Sequence, residues 1–294
     1  MPAGRDFVDL HCHSTASDGT LEPAQVVALA VSSGLSALSL TDHDTIAGIE
    51  PAQTEAARLG LDFLPGIEIS AQYPHPGTLH LLGYGVDPNS QCLTAMTRTL
   101  RAGRDDRNPK IVARLRELGV DISMDEVVHE AGGDVIGRPH IAAILVRKGY
   151  VSSIKQAFDK YLAPGGLAYF DKERLSPARA IGMILESGGL PVLAHPVQLC
   201  TQNDAELARI IKDLIDLGLA GLEVIHSDHT PALVAKFDAL ADQFHLLKTG
   251  GSDFHGDNKS GIALGRAGTR TIPRAYYDAL LERLSTRANK TAQP

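Results

Sequence analysis

Phe7-Val8-Asp9-Leu10-His11-Cys12-His13, running straight into Ser14-Thr15-Ala16-Ser17-Asp18-Gly19, is the stretch on which the reading of this 294-residue chain turns. Phe7 to His11 has the composition of a short strand. Residues two apart in a strand share a face, so His11 and His13 present their imidazoles together while Cys12 turns the other way. That spacing suits metal ligands. The turn-rich segment that follows brings Asp18 back over the same strand end. A His-x-His pair also has a plainer reading, two histidines hydrogen-bonded in a half-buried strand, and the rest of the chain has to decide between them.

Outward from this stretch the chain repeats one rhythm: an apolar strand, a polar ligand type at its C-terminal end, then a helix. Glu22 to Ser33 has helical spacing and stops at Gly34. Leu35 to Leu40 reads as a buried strand delivering Thr41-Asp42-His43-Asp44-Thr45, ahead of a helix from about Ile49 to Leu59. Leu61 to Ser70 is a strand carrying Glu68, and Thr78 to Tyr84 one carrying His80. The rhythm resumes after Ser176-Pro177. A helix over Ala178 to Ser187 precedes a strand, Leu190 to Ala194, that delivers His195. A helix over Ala205 to Leu217 precedes Ala220 to Ile225, which ends at His226-Ser227-Asp228-His229. Another over Pro231 to Phe244 leads through Leu246 to Ser252-Asp253-Phe254-His255. A last helix spans Pro273 to Arg287, and the polar tail beyond it is expected to lack order. This is an α/β pattern, and the length suits a (β/α) barrel with an insertion.

The insertion is where the rhythm breaks. Between about Leu93 and Ala168 strand signals nearly vanish, so residues 1–98 and 172–294 are read as two parts of a barrel and 99–171 as an inserted helical subdomain. Arg98, Arg101, Arg104, Arg107, Lys110 and Arg114 recur there at steps of three or four. Three-residue steps drift by about 60° around a helix, so only part of the run can face one ligand. Asn108-Pro109 reads as an N-cap and first helical residue, splitting the segment into two helices. A solvated basic face and an anion-binding face both remain open for this run. Gly137-Arg138-Pro139-His140 is the other notable spot.

With 28 Lys+Arg against 35 Asp+Glu the net charge is −7. That argues against wholesale or stable duplex nucleic-acid binding while leaving room for a focused anion site. The three cysteines, Cys12, Cys92 and Cys200, form no C-x-x-C pair and point to a reducing compartment. Met1 to Asp6 has no apolar core of signal-peptide length, and no charge-free run is long enough to span a membrane. A cytoplasmic location and no membrane partner are expected. Tryptophan is absent, so any stacking rests on Tyr and Phe.

Nearly every candidate ligand lies at the C-terminal end of a predicted strand, where barrel and open α/β enzymes carry their chemistry. His11, His13, Asp18, His43, Glu68, His80, His195, Asp253 and His255 supply nine N/O ligands with no thiolate, enough for two or three divalent ions. Mn, Fe or Zn suits such a set better than Mg alone, and Glu68 is the natural bridge. A metal-binding module without turnover is the non-catalytic alternative.

DLHCHSTASDG (9–19), TDHDT (41–45), PGIEIS (65–70), the isolated His80, LAHP (193–196) and GSDFHG (251–256) resemble, in that order, the successive motifs of the polymerase and histidinol phosphatase (PHP) family. The resemblance implies a distorted (β/α)7 TIM-like barrel, a multinuclear metal centre and hydrolysis of phosphoesters. It implies one metal on His11, His13, Glu68 and Asp253, a second on Asp18, His43 and His255, and a third on Glu68, His80 and His195. Asp18 stands where some relatives have histidine. The insertion, GRPH (137–140) and EVIHSDH (223–229) resemble a subgroup acting on 3′,5′-bisphosphate nucleotides and, in some members, removing nucleotides from the 5′ end of short RNA. The implied substrate is a phosphorylated nucleotide or short oligonucleotide. A non-nucleotide metabolite such as histidinol phosphate is the alternative.

Within that reading Arg104, Arg107, Arg138, His140, Lys172, His226 and His229 are candidates for holding substrate, since Arg offers phosphate a planar fork and Lys a point charge. Arg138 and Lys172 read equally well as salt-bridge partners, and His226 as an imidazole satisfying a backbone carbonyl. The expected chemistry is attack on phosphorus by a hydroxide bridging the first two ions, with the third helping to hold the phosphate. His229 or His226 is expected to protonate the leaving group, and Asp44 to orient His43 or a neighbouring ligand.

Overall fold

The structure, a computed structural model, describes residues 6–74, 76–131, 135–172 and 174–291. β1 (Phe7–Asp9) leads to α1 (Pro23–Ser32), and β2 (Ala37–Leu38) to α2 (Ile49–Leu59); β3 (Asp62–Phe63), β4 (Gly66–Ala71) and β5 (Leu79–Tyr84) follow. The helical stretch comprises α3 (Gln91–Glu117), α4 (Met124–Ala131), α5 (Arg138–Arg147) and α6 (Ile154–Ala157), which passes into a π-helical turn, Phe158–Leu162. The chain continues with α7 (Pro177–Glu186), β6 (Leu190–Leu193), α8 (Asp204–Asp216), β7 (Gly221–Ile225), α9 (Pro231–Gln243) and β8 (Leu247–Gly250). A hairpin, β9 (Arg266–Ala267) and β10 (Arg270–Pro273), precedes α10 (Arg274–Thr291).

Local chemistry starts these helices. The Ser176 and Thr230 hydroxyls each accept the amide three residues on, with Pro177 and Pro231 pre-set for the first turn, and Asn203 caps α8 through Glu206. α3 departs from expectation. It is one helix of 27 residues with Pro109 inside it rather than two. Asn108 is not a cap: its amide donates to the Ile136 carbonyl at 2.9 Å, and its side-chain oxygen accepts from Arg107. α10 likewise runs past Arg287 to Thr291, where an unordered tail was expected; residues 292–294 lie outside the described residues.

Among the described residues the hydrogen-bonded ladders form two five-stranded sheets, β3-β2-β1-β10-β9 and β4-β5-β6-β7-β8, and not one continuous barrel. Both mix directions: β1-β2, β2-β3, β6-β7 and β7-β8 are parallel, while β4-β5, β5-β6 and the pairings of β10 are antiparallel. The expected strand from Leu61 to Ser70 is two strands, interrupted at Leu64-Pro65, because proline has no amide to give a ladder. The β9-β10 hairpin, turning at Gly268 with φ of 63°, was not foreseen.

The two sheets approach each other at single bridges, His43 to Glu68 and Cys12 to Phe254. Around them the amides of Asp44, His13 and Asp253 donate to the carbonyls of Glu68, Phe254 and His11 at 2.8, 2.9 and 2.8 Å. Asp44 and Asp253 have φ of 57° and 56°, which regular strand cannot contain, so the ladders break where the polar side chains gather. Gly251 is required there: a Cβ at this position would lie 2.2 Å from the Cβ of His11.

The apolar core has three parts. One fills the space around β4 to β8 and the helices α7 to α10, with Ile67, Leu81, Tyr84, Val192, Leu222 and Phe237 fully or almost fully buried. A second lies beneath α1 and α2, among Val26, Val27, Leu38 and Leu40. The helical stretch has its own cluster, with Ile111, Leu115, Val127, Ile141, Leu145 and Leu162.

Candidate metal centre

β1 ends at Asp9, yet the bridge at Cys12 preserves the alternation beyond it. The Cys12 thiol turns into the apolar cluster and donates to the Ser39 carbonyl, while His11 and His13 turn the other way. Glu68 stands opposite them on β4. Its Oε2 lies 3.3 Å from Nε2 of both His11 and His13 and 2.9 Å from Nδ1 of His43. Its Oε1 lies 2.9 Å from Nδ1 of His80 and 3.0 Å from Nε2 of His195. Asp253 Oδ1 sits 3.3 Å from His13 Nε2 and 3.4 Å from His255 Nδ1, and Asp18 Oδ1 sits 3.3 Å from His255 Nε2. The structure brings all nine sequence-predicted ligand types into one cup.

Whether a cation fits that cup is tested by the atoms left without partners. His11 Nε2, both ring nitrogens of His13, His43 Nδ1, Glu68 Oε2 and His195 Nδ1 are buried and make no hydrogen bond. Each such atom costs about 1–3 kcal/mol, and divalent ions taking their lone pairs would remove that cost. Among the described residues four groupings have ligand atoms within 4.8 Å of one another: His13/Asp18/His43/His255, His11/His226/Asp253, His11/Glu68/His195 and His43/Glu68/His80. The donor set fits.

The charge state is also suitable. Burial alone would raise Asp18, Glu68 and Asp253, but the surrounding imidazoles overcome it and hold all three well below the usual carboxylate range. Burial opposes charge on His43, and Glu68 and Asp18 outweigh it, so its pKa is about 9. At His195 burial wins and the pKa falls to about 4, leaving a neutral ring with a free lone pair. Such sites exchange protons for metal.

Beside the cup lies a second cavity, of about 220 Å³, walled by Arg104, Arg107, Arg138, Lys172 and Arg174 together with Tyr73, Thr78 and Phe158. It shares Asp18, His43, His80 and Pro139 with the cavity of about 250 Å³ over the cup. Of the basic run on α3 only Arg104 and Arg107 reach it. Arg98 and Arg101 line a different cavity, and Lys110 and Arg114 pair with Asp106 and Glu117 on the surface. Arg107 donates to Asn108 Oδ1, and Arg138 donates to the Leu162 carbonyl with its guanidinium 5.7 Å from the rings of Phe158 and Tyr169.

Four of the expected residues make contacts other than the expected ones. Asp44 does not orient His43: its Oδ2 accepts from Arg104 and Lys172 at 2.5 Å each, and its Oδ1 from the Ser70 amide at 3.0 Å. His140 lines neither cavity; its Nδ1 accepts the Gly137 amide at the start of α5, and its Nε2 is buried without a partner. His229 also lines neither. Its Nδ1 donates to the Val224 carbonyl at 2.9 Å, and its ring packs between His226 and Phe237. Burial pushes its pKa down, and its Nε2 is buried without a partner. His226 accepts the Asp228 amide on Nδ1, which leaves the proton on Nε2, 3.2 Å from Asp253 Oδ2. It faces a carboxylate of the cup instead of a substrate.

Sequence reasoning missed Glu223, Asp42, Lys259 and Arg174. Glu223 contacts His11 and His195, Asp42 accepts from Ser14 and Ser17, Lys259 pairs with Asp253 Oδ2, and Arg174 adds to the basic cavity. A signal existed for Glu223, a carboxylate inside an apolar strand. Nothing local distinguishes Lys259.

A PHP domain is recognised over residues 9–175. The chain is 35% identical over 267 residues to a 3′,5′-nucleoside bisphosphate phosphatase of Chromobacterium violaceum, covering 90% of this chain and 92% of the relative. It is 35% identical over 247 residues to a 5′-3′ exoribonuclease of Haemophilus influenzae, covering 84% and 89%. A solved structure from Bifidobacterium adolescentis, described as a metal-dependent phosphoesterase, superposes with a TM-score of 0.84 at 32% identity over 94% of this chain and 96% of that one. At this similarity across nearly the whole of both chains the protein is a hydrolase, and it belongs to the PHP domain family.

Proposed function

We propose that this chain hydrolyses the 3′-phosphate of nucleoside 3′,5′-bisphosphates and trims short 5′-phosphorylated RNA from its 5′ end. The observation that carries the reading is the shared wall between the cup and the basic cavity. One phosphate over the cup and a second among Arg104, Arg107, Arg138 and Lys172 would belong to a single small molecule. Arg104 Nε is buried without a partner, a donor that an anion would satisfy.

His11, His13, Asp18, His43, Glu68, His80, His195, Asp253 and His255 are the residues that would hold two or three ions, Mn, Fe or Zn. When bound, these supply Lewis-acid neutralisation of the phosphate oxygens and an attacking water acidified toward a pKa of about 7. The chain's own contribution is positional. Asp44 holds Arg104 and Lys172 toward the second phosphate, and His226 and Lys259 fix Asp253 from behind. We read the two sheets as one distorted seven-stranded barrel whose seams are the bridges at His43 and Cys12, and residues 99–171 as the inserted helical unit that brings the arginines.

The test is a substrate panel with Mn(II): adenosine 3′,5′-bisphosphate, AMP, histidinol phosphate and a 5′-phosphorylated short RNA. The bisphosphate should give the highest kcat/KM among the small molecules. Preference for histidinol phosphate, or equal rates on AMP and the bisphosphate, would overturn the reading.

A further inference from the structure

We infer that Glu223 is a positioning residue that ties His11 and His195 into one unit and so sets the affinity of the centre for its divalent ion. The inference rests on the metal reading above. β7 is Gly221-Leu222-Glu223-Val224-Ile225, apolar apart from one carboxylate with no exposure to solvent. A carboxylate there is tolerated only if both oxygens are satisfied. They are: Oε1 accepts Nδ1–H of His11 at 2.9 Å, and Oε2 accepts the backbone N–H of His195 at 2.7 Å.

The two bonds do different things. With its proton held on Nδ1, His11 has a lone pair on Nε2, the atom that lies 3.3 Å from Glu68 Oε2 and 3.6 Å from Asp253 Oδ1. The second bond anchors the backbone at His195, whose φ of 24° is a conformation that non-glycine residues rarely adopt unless the surrounding structure holds them there. That backbone aims the His195 ring at Glu68 Oε1, at 3.0 Å.

The strand is bent to allow this. Glu223 is paired with Thr249 and Ile225 with Gly250, so Val224 is an extra residue on β7, a bulge. In a regular strand Glu223 and His226, three apart, would face opposite sides. Here Glu223 reaches His11 and His226 reaches Asp253.

In Glu223→Gln one oxygen becomes an amide nitrogen, which cannot accept from His11 or His195, so at least one bond is lost. Metal-free protein is reloaded with Mn(II), and free Mn(II) is followed by electron paramagnetic resonance. Glu223→Gln should bind Mn(II) about 10- to 100-fold more weakly than the unaltered protein, a loss larger than any fall in the metal-free melting temperature accounts for. Equal affinity in the two proteins overturns the inference, as does a fall in the metal-free melting temperature large enough to account for the weaker binding. If the variant does not fold, nitrogen-15 histidine spectra of the unaltered Zn(II)-loaded protein decide. A proton on His11 Nδ1 supports the role, and a proton on Nε2 overturns it. Failure of the unaltered protein itself to bind Mn(II) or Zn(II) would instead bring down the metal reading beneath it.

Discussion

Lys172 and Asp44, 128 residues apart in the chain, meet at 2.5 Å with both side chains buried, and the same Asp44 oxygen accepts from Arg104 at 2.5 Å. One carboxylate serves two cations, and the effects are unequal. Burial would raise Asp44, but Lys172 and Arg104 together hold it far below the usual carboxylate range. Lys172 receives only part of one negative charge. Burial and then the nearby Arg104 push it down to about 7 despite the contact.

Replacing Asp44 with Asn should leave two buried cations without a counter-charge, at a cost of about 3–5 kcal/mol. Denaturant unfolding of D44N against the unaltered protein measures it. The linkage has a definite sign. A carboxylate depressed on folding contributes stability above its unfolded pKa, and loses it as pH falls below about 4. The acid-side loss attributable to this group should be absent in D44N.

Lys172 is charged below about pH 7 and neutral above it. KM for a nucleoside bisphosphate should therefore rise with pH through 7, whereas KM for a monophosphate should not. Losing one charge-assisted contact is worth about 1.5–3 kcal/mol, or roughly 10- to 100-fold in KM. Lys172→Arg, whose charge does not titrate, should flatten the profile; an unchanged inflection in that variant would count against Lys172 as its source. Stability moves with pH too. The folded state binds fewer protons than the unfolded chain between about pH 7 and 10, so the Lys172 contribution becomes more favourable as pH rises across that window.

Chelation should abolish hydrolysis and lower the melting temperature, since the unpartnered atoms of His11, His13, His43, Glu68 and His195 would lose their cations. Binding at 100 times Kd stabilises by about 2.7 kcal/mol, several degrees for a chain of this size. Calorimetry with EDTA and then excess Mn(II) should show the loss and its recovery.

His229→Gln discriminates between a proton donor and a packed ring. A general acid contributes about 10²–10⁴ in rate, and that loss falls mainly on poor leaving groups. With Nδ1 committed to the Val224 carbonyl and the ring packed at a tilt against Phe237, H229Q should reduce good and poor leaving groups by the same factor. A selective loss on the poor leaving group would restore His229 as the acid.

Much of this protein could be read from the chain alone. α2 runs from Ile49 to Leu59 as its periodicity indicates, α9 begins at Pro231 as expected, and α7 begins at Pro177, one residue before the expected Ala178. His11, His13, His43, His195, Asp253 and His255 follow the C-terminal ends of apolar strands, as expected, whereas Glu68 lies within β4 and His80 near the start of β5. Periodicity, caps and strand-end placement depend on neighbours within a few residues, so one sequence suffices to see them. Only tertiary structure decided the rest. It divided the strands into two sheets, selected Arg104 and Arg107 from a run of six basic residues, assigned Asp44 to Lys172 instead of His43, and withdrew His229 behind His226. Glu223 is the clearest case. Its partner His11 lies 212 residues away, and the bulge that turns it there exists only because β7 is paired with β8. Which groups a buried charge meets is determined by distant segments packing together, and that information is not local to any stretch of the chain.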